Sequence, residues 1–155
     1  MRATIQQALQ SIFAGHGVDL TLDGHGMVAL GFSGDVIVTL EVPEHGERAY
    51  AYASVVRLLA GEEAGAMRKA LALNLFRMKQ PDVWIALDNE AMSLTLCTSL
   101  RREDVSADAL ARRLEGFVEE IAAVRTALRE GSEAEVISSL HSPLYRGDDA
   151  IVFRT

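Results

Sequence analysis

A single cysteine, Cys97, occurs in the 155 residues. One thiol excludes an intrachain disulfide, and a reducing compartment is the simplest setting for such a chain. No apolar run approaches the ~18 residues that a membrane-spanning helix needs. The first residues, MRATIQQALQSIF, lack the continuous apolar stretch of a signal peptide and pattern as an amphipathic helix. An excess of basic residues is missing too: 15 Lys and Arg stand against 22 Asp and Glu, a net charge of −7. That balance disfavours nucleic acid and anionic lipid as partners. The expectation is a cytoplasmic protein with no nucleic-acid or membrane partner.

Residues arranged for chemistry are equally scarce. His16, His25, His45 and His141 all sit in or beside loops rich in Gly or Ser. None lies three or four residues from another, as a helical metal pair would require. The segment GHGMVA (residues 24–29) matches a dinucleotide-binding fingerprint in letters only. That fingerprint works when its glycines open a helix, whereas Val28, Leu30 and Phe32 alternate as a strand does. Cys97 shares a strand face with Thr95 and Ser99 and has no base beside it in sequence. The acidic pairs Glu62–Glu63, Glu103–Asp104 and Glu119–Glu120 pattern as solvated helix charges. No metal, nucleotide or other cofactor is expected and no catalytic residue is assigned. A small enzyme with a site assembled from loop residues such as His16, His25 and Asp35 is the competing class.

What the chain does have is apolar periodicity. The hydrophobic fraction is 49% and the charged fraction 24%, the range of a globular domain. Ile5, Leu9, Ile12 and Phe13 form a helical stripe over residues 2–14, with Gly15 and Gly17 after it. Val18, Leu20 and Leu22, then the turn DGHG, then Val28, Leu30 and Phe32 predict a hairpin. Residues 36–42 predict a third strand, and residues 48–56, with tyrosines on one face and alanines on the other, a fourth.

From Gly61 to Met78 the period becomes helical, with Met67, Ala70, Leu71, Asn74, Leu75 and Met78 on one side, and Pro81 ends it. Val83, Ile85 and Leu87, the turn DNE, and then Met92, Leu94, Leu96, Thr98 and Leu100 predict a second hairpin. A long helix follows Ser106, with the stripe Leu110, Leu114, Phe117, Val118, Ile121, Val124 and Leu128 and with Gly131 at its end. Residues 132–155 predict a short helical turn and an edge strand, AIVF. Strands joined by tight turns are antiparallel, so the fold class is α+β: a twisted sheet with three main helices on one face. A single domain spans residues 1–131, with 132–155 as an extension.

Apolar residues outnumber what such a layer needs. Leu73 and Phe76 lie off the stripe of the second helix, and Trp84 points opposite to Val83 and Ile85. Surplus apolar surface predicts a protein partner.

Two stretches carry a resemblance: LALNLF (residues 71–76) at the end of the second helix, and VWIALDNEAMSLTLCTSL (residues 83–100) after it. With the helix that supplies Leu110, Leu114 and Phe117, they resemble the class I type III secretion chaperones, the Tir chaperone (CesT-like) family. The resemblance covers residues 2–128. The family order is α-β-β-β-α-β-β-α, whereas the alternation here gives four strands before the second helix. It implies a non-catalytic homodimer that binds the N-terminal segment of a secreted effector, keeping it soluble and competent for secretion. A non-catalytic adaptor or regulatory binding protein of the same fold is the alternative. Candidate dimer residues are Met67, Leu71, Leu75 and Trp84. Candidate effector-binding residues are Leu20, Leu22, Phe32 and Ile37, with the first three expected in exposed grooves.

Overall fold

A computed structural model describes residues 1–14, 20–77 and 82–130. Helix α1 (Arg2–Phe13) leads to three strands, β1 (Met27–Phe32), β2 (Val36–Glu41) and β3 (Arg48–Arg57). Then come helix α2 (Glu63–Arg77), strands β4 (Val83–Asp88) and β5 (Ser93–Arg101), and helix α3 (Ala107–Glu130). The five strands form one antiparallel sheet in the order β1-β2-β3-β5-β4. This is the expected α+β class, with the order α-β-β-β-α-β-β-α.

Alternation along the strands decides which face is covered. Val36, Val38, Leu40 and Val42 are buried, as are Ala49, Ala51 and Ala53 on β3 and Leu94, Leu96 and Leu100 on β5. They pack in one core with Ile5 and Leu9 of α1 and with Leu110, Leu114, Phe117, Ile121 and Val124 of α3. The α3 stripe is buried throughout. Ser106 Oγ accepts from Ala109 N at 3.3 Å and so caps that helix. The alanines of β3 fit this layer because short side chains let helices approach the middle of the sheet.

Three expectations are corrected. Residues 20–23 lie outside the strands, so among the described residues three strands and not four precede α2. Phe32 is 6% exposed and belongs to the core. Its register partner is Val36, and directly opposed residues of an antiparallel pair share a face, so Phe32 points where Val36 points, toward the helices. On α2 the buried positions are Ala70 and Leu73, while Leu71 and Leu75 face outward. Gly15, Gly17, Met78, Pro81, Gly131 and the edge strand expected in 132–155 lie outside the described residues.

Candidate binding surfaces

The second helix lies along the β4 edge of the sheet, and one side chain fixes it there. Asn74 Nδ2 donates to Ile85 O at 2.9 Å, and Ile85 N donates to Asn74 Oδ1 at 2.8 Å. The amide thus occupies both main-chain groups of one edge residue and blunts the edge at that point. Leu73, fully buried, anchors the helix from below. With that face used, Leu71 is left 69% and Leu75 63% exposed. Met67 is half-buried on the same helix.

Among the described residues, the other face of the sheet carries no helix stripe. Along β5 its residues are small: Ser93, Thr95, Cys97 and Ser99. Tyr52 and Trp84 stand on either side of Cys97 in register, and Tyr50 stands beside Ser99. Small residues between larger neighbours form a trough whose floor is β5. Burial pushes the Cys97 thiol up to about 11, so it stays protonated at neutral pH and is not primed as a nucleophile. The Tyr52 phenol is likewise raised, first by burial and then by the charge of Glu41. Toward the end of this face that holds the β4–β5 turn lies a cavity of about 430 Å³, lined by Ile37, Thr39, Tyr52, Arg57, Asp88 and Ser93 among others. Ile37 is 63% exposed there.

A third region surrounds α1. Residues 20–22 run alongside that helix, held by the side chain of Gln6. Gln6 Nε2 donates to Leu20 O at 2.7 Å, and Leu22 N donates to Gln6 Oε1 at 2.8 Å. Leu20 and Leu22 are half-buried against the core. The chain then turns at Asp23, whose Oδ1 accepts from His25 N at 2.9 Å and from Met27 N at 2.8 Å. The bond from Met27 is the main cause that holds the Asp23 carboxyl below its ordinary range. Gly26 has a φ of +84°, and a Cβ there would meet Val42 O at 2.4 Å and the Arg2 guanidinium at 2.7 Å. Arg2 itself donates to Val42 O and to His25 O, both at 2.8 Å, tying the start of α1 to this turn. The second glycine of GHG therefore serves a turn that leads into a strand.

The four candidate effector residues do not form one surface. Phe32 is core, Ile37 lies on the opposite sheet face, and Leu20 and Leu22 flank α1. Of the four candidate dimer residues, Met67, Leu71 and Leu75 lie on α2, and Trp84 lies on β4 with its side chain on the sheet face opposite to that of Ile85. Of the loop residues weighed for an enzyme, His25 and Asp35 are exposed, and His16 lies outside the described residues. Among the described residues no group of three or more His, Cys, Asp or Glu side chains could hold a metal ion. No helix among them is long and apolar enough to cross a membrane. Periodicity does not point to Gln6 or Asn74 as gripping residues, although Asn74 lies within the LALNLF stretch.

The family model of the Tir chaperone protein (CesT) family matches residues 7–125. Among solved structures, the ExsC–ExsE complex contains a similar chain at 20% identity and a TM-score of 0.71, covering 85% of this chain and 98% of that one. The HopA1–SchA chaperone–effector complex matches at 18% identity and 0.64, covering 80% and 94%. The Yersinia pestis type III secretion chaperone SycH, in complex with a stable fragment of YscM2, matches at 21% and 0.53, covering 76% and 97%. These likenesses establish the fold. No protein of curated function matches by sequence.

Proposed function

The chain belongs to the Tir chaperone protein (CesT) family, and from that premise we propose that it is a type III secretion chaperone. In this reading it acts in the cytoplasm, as a binding protein and not as an enzyme. It holds the N-terminal segment of a secreted effector in extended form, soluble and ready for export. Residues 1–131 are the chaperone domain and 132–155 an extension of it. The neighbours support the reading, since one is a chaperone–effector complex and another a type III secretion chaperone bound to a protein fragment.

The working unit in this proposal is a homodimer. The observation that carries it is the exposure of Leu71 and Leu75, 69% and 63%, on a helix whose position is otherwise fixed by Asn74 and Leu73. An isologous interface is the commonest way for one chain to cover such a patch. The trough along β5 beside Trp84 offers room for the same leucines of a second copy. Each leucine fully buried contributes roughly 1.5–3 kcal/mol, so four leucines at one interface outweigh the loss of rotational and translational freedom only with good packing around them. Ile37, Leu20 and Leu22 remain as effector contacts in this proposal, and Phe32 is withdrawn from that role.

Light scattering tests the assembly: a species of twice the 16.8 kDa chain mass is expected. The pair Leu71→Asp and Leu75→Asp should convert it to a monomer of unchanged helix content. A wild-type monomer at micromolar concentration would overturn the dimer. The effector reading is tested by capture from native lysate, followed by rebinding of the captured protein's N-terminal segment alone. Binding that needs a folded domain of the partner instead would replace it with an adaptor.

A further inference from the structure

Strand β3 opens with Arg48 and β5 closes with Arg101, and the two stand directly opposite in the antiparallel register. Directly opposed residues share a face, so two guanidinium groups project side by side at the end of the sheet away from the β4–β5 turn. Like charges in that relation are destabilising on their own. Both residues are exposed, so packing does not demand an arginine at either place. Arg102 follows at once, in the short turn Arg102–Asp104 that leads toward α3. All three arginines line one cavity of about 440 Å³, which Gly46, Glu47 and Glu103 also line. Three arginines against two glutamates give these side chains a charge of +1, on a chain whose net charge is −7.

The groups are held but not saturated. Arg48 Nη1 donates to Ser99 Oγ at 3.2 Å, which fixes the direction of its guanidinium. Arg101 Nη1 lies 4.0 Å from Glu103 Oε1, and the two side chains are 53% and 70% exposed. An ion pair so long and so open to water contributes little. A guanidinium carries five N–H donors, so each arginine can serve a further acceptor. Paired guanidinium forks match the two oxygens of a carboxylate. One carboxylate also balances a lining of +1, whereas a phosphate dianion would bring surplus charge beside Glu47 and Glu103. The cavity has the size of a site for a ligand larger than a single ion, so the chain that carries the carboxylate fits with it.

We propose that the cavity at Arg48, Arg101 and Arg102 is a docking site for an acidic peptide segment of another protein. One Asp or Glu carboxylate of that segment lies across the opposed guanidinium pair and offsets the repulsion that the register imposes. None of the residues proposed above for effector or dimer contact lines this cavity, so the inference stands apart from that reading.

The experiment titrates the full chain at low salt with a capped acidic peptide, GDEDG, its neutral counterpart GNQNG, and inorganic phosphate. The acidic peptide should shift the Nε–H resonances of Arg48 and Arg101 saturably, and the neutral peptide should leave them unmoved. Arg48→Gln and, separately, Arg101→Gln should each weaken binding at least about 10-fold, as loss of one charge-assisted hydrogen bond does. Arg68→Gln, on α2 and outside the cavity, should leave it unchanged. No saturable shift at millimolar peptide, an equal shift with the neutral peptide, or an equal loss in Arg68→Gln overturns the proposal. Tighter binding of phosphate than of the acidic peptide overturns it as well. Stability gives a second readout: Arg101→Gln should keep or raise the urea midpoint at low salt, because it removes one of two opposed like charges. A marked fall would give the pair a structural role and refute the site. The wild-type titration decides even if a variant fails to fold, and neither result depends on an effector being found.

Discussion

Asn74 and Gln6 do the same chemical job in two halves of the molecule, with opposite mechanical results. Each is a helix carboxamide that accepts from one main-chain N–H and donates to one main-chain carbonyl. Asn74 grips Ile85, a residue of β4, whose other side is paired along its length with β5. Gln6 grips residues 20–22, for which no described strand supplies a ladder. An amide laid against a strand that is already paired closes an edge and locks a helix to the sheet. The same amide laid against an unpaired segment is most of what holds that segment's main chain. The stiffness of each region therefore comes from what lies on the far side of the gripped chain.

The largest effect is expected at the turn that leads from the Gln6 half into the sheet. Gly26→Ala would force a Cβ onto Val42 O and the Arg2 guanidinium at a φ of +84°. Strain of that kind costs on the order of 1–3 kcal/mol before the loss of the Arg2 contacts is counted. The urea midpoint should fall, and α1 amides should lose the most protection. A wild-type midpoint would mean that the start of α1 is not fixed through this turn.

Next in size is the contrast between the two carboxamides. Asn74→Ala should lower global stability by about 1–3 kcal/mol, since Ile85 is a buried residue left with two unpaired main-chain groups. Gln6→Ala should cost no more than about 1 kcal/mol globally, because Leu20 and Leu22 are only half-buried residues whose freed groups water can reach. Its clear signature is local, a faster exchange of the Leu22 amide. Equal global losses in the two variants would erase the distinction drawn between the two halves.

The smallest effect is a pH dependence at Asp23. Its carboxyl titrates below its unfolded value, chiefly because it accepts from Met27 N. The stability it contributes is present above the unfolded pKa and is lost as pH falls through the lower folded one. Acidification into that window should release the His25 and Met27 amides to exchange before the β4–β5 hairpin responds, and Asp23→Asn should remove the pH dependence. Simultaneous release of both regions would show that the turn is not an independent unit.

Much of this molecule was legible in its sequence. The α3 stripe, the alternation of β2, β3 and β5, the change of period at α2 and the outward position of Trp84 all follow from local spacing, which backbone geometry alone dictates. The resemblance carried by LALNLF and the hairpin after it gave the family. Tertiary structure decided the rest. Periodicity shows that a segment has an apolar face but not which element covers it, so Leu71 and Leu75 could not be told from Leu73 until α2 was set against the β4 edge. Register placed Phe32 opposite Val36 and thereby in the core, a consequence of pairing that no single strand contains. The pairing of β3 with β5, distant in sequence, made the trough of small residues. Residues 20–22 have the alternation of a strand, but a strand exists only where a neighbour supplies the ladder, and there the described neighbour is the side chain of Gln6.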